Sequence, residues 1–514
     1  MRKSEATRFQ FTADEAESEI AATKILAEIK ANKSVYVTGA TITGPLPLSY
    51  DVIKGELALL KCELTEAVSA ENATFERAVA FDGTHFNGGA SFVGTVFKGI
   101  VSFDECEFRK ASFIAAVFAQ GVSFSRAHFM PNANKSIPAN SEDNSVSFSW
   151  SKVQLFMTLS EAVIEGGLDC RDTEVIGTFL CKALRCKNEA SFRGLTAHDE
   201  ANFKSAIFEA SADFSHMKLH GDLVIEDAQF LEATSAEDET VNNFVGTVIE
   251  GDLKMAGGLF EGNTSMQSMH VQGTTIISQS LPGLPKELQK ASHFRANVDF
   301  SDSHFSGPFN FLGGEVSGQA LFEDVEFMDR AFFTACFNSA TKEVRFDRAK
   351  FAGPAVFEAV FKGGMSSFGA WFNDYVAFRG DCCIEKFASW RETRFTNIRF
   401  VRNAGRAVPQ IFSGDVDWRQ CRYETIQHDE GIKKLWPILA AKWENQLARP
   451  EDYTFDVQPY EQVERSVAAT VWMSWLMKFI SRSVASRAVS KNAWYSVRGI
   501  GWSGAFLVGE RNLS

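Results

Sequence analysis

The sequence predicts an all-β solenoid with helical ends, and three observations carry that expectation. Between Phe75 and Phe129 a large apolar residue recurs at Phe75, Phe81, Phe86, Phe92, Phe97, Phe103, Phe108, Phe113, Phe118, Phe124 and Phe129, in steps mostly alternating between 6 and 5. An amphipathic helix repeats at about 3.6 residues and a strand at about 2, so a sustained double step of 11 signals stacked repeats. The residue two before each of these slots is small or branched, as in Ala73, Ala90, Val101, Ala111, Ala116, Val122 and Ala127, and should also point inward. The residue two after is often glycine, as in Gly44, Gly55, Gly83, Gly88, Gly94, Gly99, Gly221, Gly251, Gly262 and Gly273, which suits positive φ at tight corners. Each step therefore reads as a short extended side followed by a turn.

Taken in chain order, residues 1–34 read as an N-terminal helical cap. Thr12-Ala13-Asp14-Glu15 matches a capping box, and Ala22, Ile25, Leu26 and Ile29 have helical spacing. The solenoid register begins at Val37, Ile42, Leu48, Ile53, Leu59 and Leu64 and defines a repeat region over 35–423. It resumes through Phe203, Phe208, Phe214, Leu219, Ile225 and Phe230, then Phe244 to Ile277, then Phe294, Phe300, Phe305, Phe311, Val316, Phe322 and Phe327. Beyond that the phase slips, with inward positions expected at Phe346, Phe357 and Phe368 and final slots at Trp418 and Tyr423. The predicted core ladder is represented by Phe75, Phe86, Phe97, Phe108, Phe203, Phe214, Phe300, Phe311 and Phe322. Four stretches, near 130–146, 231–243, 278–293 and 401–411, lack the register and read as loop insertions. Residues 424–465 read as a C-terminal cap helix and linker, with Trp436, Leu439, Ala440, Trp443 and Leu447 on one stripe. Residues 466–514 form a basic amphipathic tail. On a helix Trp472, Met473, Leu476, Phe479, Ile480 and Val484 share one face, and Ser474, Lys478, Ser481 and Arg482 the other.

The repeat unit resembles the pentapeptide-repeat family, whose pattern is small residue, polar residue, Leu or Phe, then two variable residues. Ala90-Ser91-Phe92-Val93-Gly94 and Ala212-Asp213-Phe214-Ser215-His216 show it directly. The resemblance implies a right-handed quadrilateral β-helix with four short sides per coil. The 6-residue steps depart from a strict 5-residue unit and imply widened corners and 22 residues per coil, as from Phe75 to Phe97. At strand spacing, about fifteen coils would make a rod of roughly 70 Å. Asp456-Val457-Gln458-Pro459-Tyr460-Glu461-Gln462 resembles a segment following the repeats in some large bacterial members, from which the chain departs after Arg465.

A net charge of -13 over 514 residues argues against affinity for nucleic acid built on phosphate neutralisation. The tail is the exception: six basic residues against Glu510 give it +5, leaving -18 for the remainder. Met1–Phe11 has no apolar run behind its basic residues, and no stretch of about 18 apolar residues occurs, so a cytoplasmic chain without a spanning helix is expected. Of nine cysteines, Cys170, Cys181 and Cys186 fall on slots and Cys62, Cys106, Cys382 and Cys421 two before them, the places of small core residues rather than zinc ligands.

No catalytic constellation, metal site or cofactor site emerges. Gly499-Ile500-Gly501-Trp502-Ser503-Gly504 fits GxGxxG, but ten following residues cannot supply the helix and the distal acid of a dinucleotide fold. His216 and His220, near Asp213 and Asp222, flank inward Phe214 and Leu219 and should leave different sides of the coil. Asp82 and Asp104, like Asp302 and Asp324, lie 22 apart and should stack on adjacent coils. The expected function is a non-catalytic protein-interaction scaffold, peripheral to the membrane through its tail. Trp472, Trp475, Lys478, Phe479 and Arg482 are the candidate contacts, with an anionic membrane or a protein partner. The family resemblance implies an alternative, an acidic DNA mimic acting on a type II topoisomerase such as gyrase.

Overall fold

The computed structural model describes residues 8–13, 18–131, 146–232, 240–279, 289–401 and 411–428. These residues wind into a parallel β-solenoid. The coil from Thr74 to Ser91 shows its plan: side one is Thr74–Phe75, side two Val79–Ala80, side three His85–Phe86 and side four Ala90–Ser91. Each strand pairs in parallel with its equivalent one coil on, Phe75 with Phe97 and Phe86 with Phe108. Sides three and four are each 16-stranded sheets, and sides one and two together make a 31-stranded one. About 16 coils result. One chemical cause accounts for strands of two residues: a single backbone pair per side suffices when its hydrogen bonds go to the coils on either side.

The alternating 6 and 5 have distinct physical origins. Five-residue steps end sides two and four, and there the residue two after the slot has positive φ. Glycine fills that place at Gly83 (φ 67°), but Asn72, Glu105, Asp172 and His216 also adopt it. Six-residue steps end sides one and three, where glycine answers a different demand. A Cβ on Gly99 would lie 2.5 Å from backbone atoms of Arg77 and Ala78, so the glycine admits the preceding coil rather than a left-handed turn. The sequence-based attribution of these glycines to positive φ is thus corrected at wide corners such as that of Gly99, although it holds at Gly44 (φ 94°).

Inside, the slot residues form columns. Phe81, Phe103 and Phe124 stack at 5.2 and 5.0 Å, and Phe86, Phe108 and Phe129 at 4.5 and 4.9 Å. Phe75, Phe86, Phe97, Phe108, Phe203, Phe214, Phe300, Phe311 and Phe322 are all fully buried. Where a slot is small, its inward neighbour is large: Phe179 beside Cys181, Leu184 beside Cys186 and Leu195 beside Ala197, all buried. Hydroxyls within the core donate to carbonyls of an adjacent coil, Thr84 to Leu59 at 2.6 Å and Thr95 to Ala70 at 2.6 Å, so they are buried without being unsatisfied.

Three local expectations change. Thr12 ends a strand, Arg8–Thr12, that pairs in parallel with Ser34–Thr38, and the helix begins only at Ala22. That helix, Ala22–Lys30, has Ala21 at its N-cap with no side-chain cap bond, so the capping box is not what starts it. It buries Ala22, Ile25 and Ile29 against Ser34–Thr38 and Leu46–Pro47. Phe368 is not inward. Register carries the side-four column from Phe346 to Ser367 and on to Trp390 and Trp418, while Phe368 lies outside under the Arg391 guanidinium at 5.8 Å. The apparent slip of phase is a change of step at the corners of side three: Phe333 to Phe337 and Phe357 to Phe361 take four residues each, and Phe337 to Phe346 takes nine. The columns continue through them.

Candidate interaction surfaces

Outward side chains alternate with the inward ones and form ladders along each side. Side four carries small polar groups: Ser69, Ser91 and Ser112 occupy one register position, with Ser147 next. Asp82 and Asp104 do stack on side two, but their carboxylates are engaged. Asp82 accepts the Ser102 hydroxyl and the Asp104 N–H (3.2 Å), and Asp104 accepts the Ser123 hydroxyl and the Ser125 N–H (2.9 Å). Asp302 and Asp324 both occupy left-handed corners, and Asp324 is held by Arg348 at 2.6 Å.

A feature not anticipated from the sequence is inter-coil pairing of histidine with glutamate. His85 meets Glu107 (3.5 Å), His128 Glu165 (3.3 Å), His198 Glu174 (3.7 Å), His220 Glu250 (2.9 Å), His293 Glu315 (3.4 Å) and His304 Glu326 (3.1 Å). The signal was present as His and Glu one coil apart, which only the register makes adjacent. Hydrogen bonds from Lys350 and His304 hold the Glu326 carboxyl below its ordinary range. Lys187 and, beyond the opposing effect of burial, His128 do the same for Glu165. His216 stands at a left-handed corner and His220 on side one, so the two do not converge. Among the described residues no group of three His, Cys, Asp or Glu is placed to hold a metal.

The cysteines sit as predicted for core residues: Cys62, Cys106, Cys170, Cys181, Cys186, Cys382 and Cys421 are buried. Burial pushes the thiols of Cys106, Cys170, Cys181, Cys186, Cys382 and Cys421 far up. Cys336 and Cys383 are outward on side three and half-buried.

Side one differs from the others in two respects. Of nine exposed large apolar residues among the described residues, Tyr50, Val52, Ile100, Trp150, Leu155, Ile176, Met328 and Trp371 lie on it or at its bordering corners, and Leu231 does not. Every step from side four into side one is five residues long, from Leu48–Ile53 to Trp418–Tyr423. The segments 132–145, 233–239, 280–288 and 402–410 all branch from the two corners that bound side three, opposite side one. Those segments, Trp472, Trp475, Lys478, Phe479, Arg482, the 424–465 cap beyond His428 and Gly499–Gly504 lie outside the described residues. No helix among the described residues is long and apolar enough to cross a membrane.

The four-sided stacked coil with paired inward residues defines a class, the parallel β-solenoid of short repeats. A family model described as "Pentapeptide repeats (9 copies)" matches residues 59–104 and 92–134, the Phe-rich coils in which the columns are most regular. The matched coils carry pentapeptide repeats, and the match supports a pentapeptide-repeat protein. No curated protein and no solved structure matches it. The scaffold fits a non-catalytic repeat protein.

Proposed function

We propose that the protein is a non-catalytic scaffold that binds a protein partner along side one. The observation that carries this reading is that, among the described residues, eight of the nine exposed large apolar side chains lie on that side and its corners. Contiguous exposed apolar surface on a soluble chain marks contact with another macromolecule. In the N-terminal half, Val52, Thr74, Val96 and Val117 occupy one outward register position on successive coils. Tyr50 and Trp150 flank that column at one corner, Ile100 and Leu155 at the other. Aromatic residues at the margin of a flat apolar strip are the composition of an interface core. The constant corner length keeps the strip free of insertions.

The DNA-mimic reading receives less support. Of the acidic ladders it would use, Asp82 and Asp104 are engaged by serine hydroxyls and backbone N–H groups and Asp324 by Arg348, which leaves Asp302 without a free neighbour in its row. A quantitative pull-down compares the native chain with Val52→Lys/Ile176→Lys and with a side-three control, Arg185→Glu. The reading requires a partner lost with the side-one variant and kept with the control. Equal recovery by both variants would refute it.

A further inference from the structure

We infer that the C-terminal end of the rod carries a docking surface for an anionic lipid bilayer, built on side one from Trp371, Arg394 and Arg422 with Arg399 beside them. Charge along the chain is strongly polarised. Residues 1–341 hold 27 Lys and Arg against 46 Asp and Glu, a net -19, whereas 342–428 hold 14 against 10, a net +4. The basic excess is concentrated by register. Lys350, Trp371, Arg394 and Arg422 follow one another in a single outward column on successive coils.

Three other cations of this side, unlike them, are neutralised by a glutamate one coil away, while among the described residues Lys218 in the same column stands alone on acidic coils. Lys98 meets Glu76 at 3.5 Å, Lys152 meets Glu174 at 3.1 Å and Lys350 meets Glu326 at 2.7 Å. Arg394 and Arg422 are exposed, and neither has a carboxylate at ion-pair distance among the described residues. Arg399, around the corner on side two, lies over the Tyr375 ring at 4.6 Å, a contact that fixes the guanidinium without neutralising it. Between the cations Trp371 is 46% exposed. An indole set among guanidinium groups suits a bilayer boundary, where the ring takes the headgroup level and arginine meets phosphate with two parallel hydrogen bonds.

The shape of the charge selects a bilayer over other polyanions. The uncompensated column spans three coils, about 10 Å between its first and last strands, and everything N-terminal to residue 342 is acidic in sum. A nucleic acid or an acidic partner lying along the rod would be repelled by that body. A planar surface laid against side one at the last described coils meets this column before the acidic body. Arg422 opens the strand Arg422–His428, and the sequence C-terminal to that strand contains a segment, 466–514, of net +5. Stable peripheral attachment ordinarily needs two such signals.

The full-length protein is sedimented with phosphatidylcholine vesicles with and without phosphatidylserine. Binding is expected only with phosphatidylserine. Arg394→Gln/Arg422→Gln should weaken it roughly thirtyfold, at about fivefold per lost cation. Trp371→Ala should weaken binding at low and high salt alike. Lys54→Gln/Lys98→Gln, on the same side in the acidic half, should change nothing, and neither should Val52→Lys/Ile176→Lys, so the bilayer surface and the protein-binding strip stand or fall separately. Absence of binding, equal binding to uncharged vesicles, or an unchanged affinity of the double arginine variant overturns the inference. So does loss, in that variant, of self-association or of short-duplex DNA binding measured without vesicles, since either would identify a different anionic partner.

Discussion

The large-small exchange inside the coil that spans Cys170 to Cys186 gives the sharpest test of how this core is built. Phe179 occupies the place that Ala or Val fills in most coils, and Cys181 the place of a Phe. Its ring is fully buried and meets Phe192 at 6.1 Å and Phe203 at 5.8 Å, both edge-on. Phe179→Ala removes that ring beside a slot already small, so no neighbour can fill the gap, and the loss belongs in the upper part of about 3–5 kcal/mol. Restoring the common pattern, Phe179→Ala with Cys181→Phe, returns the ring from the adjacent inward position. A volume-conserving exchange of this kind should cost less than about 1.5 kcal/mol. Stacked arrays open locally, so amide hydrogen exchange over residues 170–208 is the appropriate readout. The single variant should exchange at least about a hundredfold faster and the double variant within about tenfold of the native chain. If the double variant exchanges as fast as the single one, the two inward positions are not interchangeable and the volume argument is wrong.

Other outcomes follow from the same geometry. Gly99→Ala drives a Cβ into the backbone of Arg77 and Ala78 and should cost about 1–3 kcal/mol. Gly83→Asn places its Cβ 3.1 Å from Lys61 Cγ with no backbone atom closer than 3.7 Å, at a corner where Asn72 adopts the same left-handed φ, and should cost less than about 1 kcal/mol; paired urea titrations check both. A maleimide probe at neutral pH should label only Cys336 and Cys383 in the native protein, the seven buried thiols reacting after denaturation, as intact-mass spectrometry would show. Glu326 and Glu165 have depressed folded-state pKa values, so their contribution is complete above the ordinary carboxylate pKa and is lost as pH falls through the folded value. Melting temperature should therefore hold from neutrality to about pH 5 and fall below about pH 4.3, with a shallower acid limb in Glu326→Gln. Gyrase supercoiling should proceed unchanged with the protein in excess; inhibition would revive the DNA-mimic reading.

The fold was legible because the inward positions carry two signals at once, a large slot and a small neighbour, repeated at an interval no helix or strand shares. Cys170, Cys181 and Cys186 could be placed in the core by counting alone. Legibility failed where the chain obeys volume rather than pattern. Ser367 is inward because Phe361 is six residues before it and Trp390 follows in its column, so the neighbouring Phe368 was a decoy. The N-terminal strand Arg8–Thr12 was missed because Phe9 and Phe11 alternate over only five residues beside a capping-box match. The surfaces were harder still. His85 and Glu107 are meaningless as a sequence pair until a coil of 22 residues sets them on adjacent strands. Likewise Tyr50, Trp150 and Trp371 look like scattered aromatics until the register assigns them to one side.

The placement of the irregular segments has a consequence for how such a chain tolerates length. Closing each coil costs chain entropy that grows only as the logarithm of its length. Phe75 to Phe97 closes over 22 residues, whereas Phe118 to Val153 takes 35 and Val271 to Phe305 takes 34. The added cost is about 0.4 kcal/mol per lengthened coil, a small fraction of what one buried phenylalanine contributes. Expansion at the corners of side three is therefore thermodynamically almost free. The same residues added at a corner of side one would leave the entropy unchanged but break an otherwise continuous lattice of evenly spaced rungs.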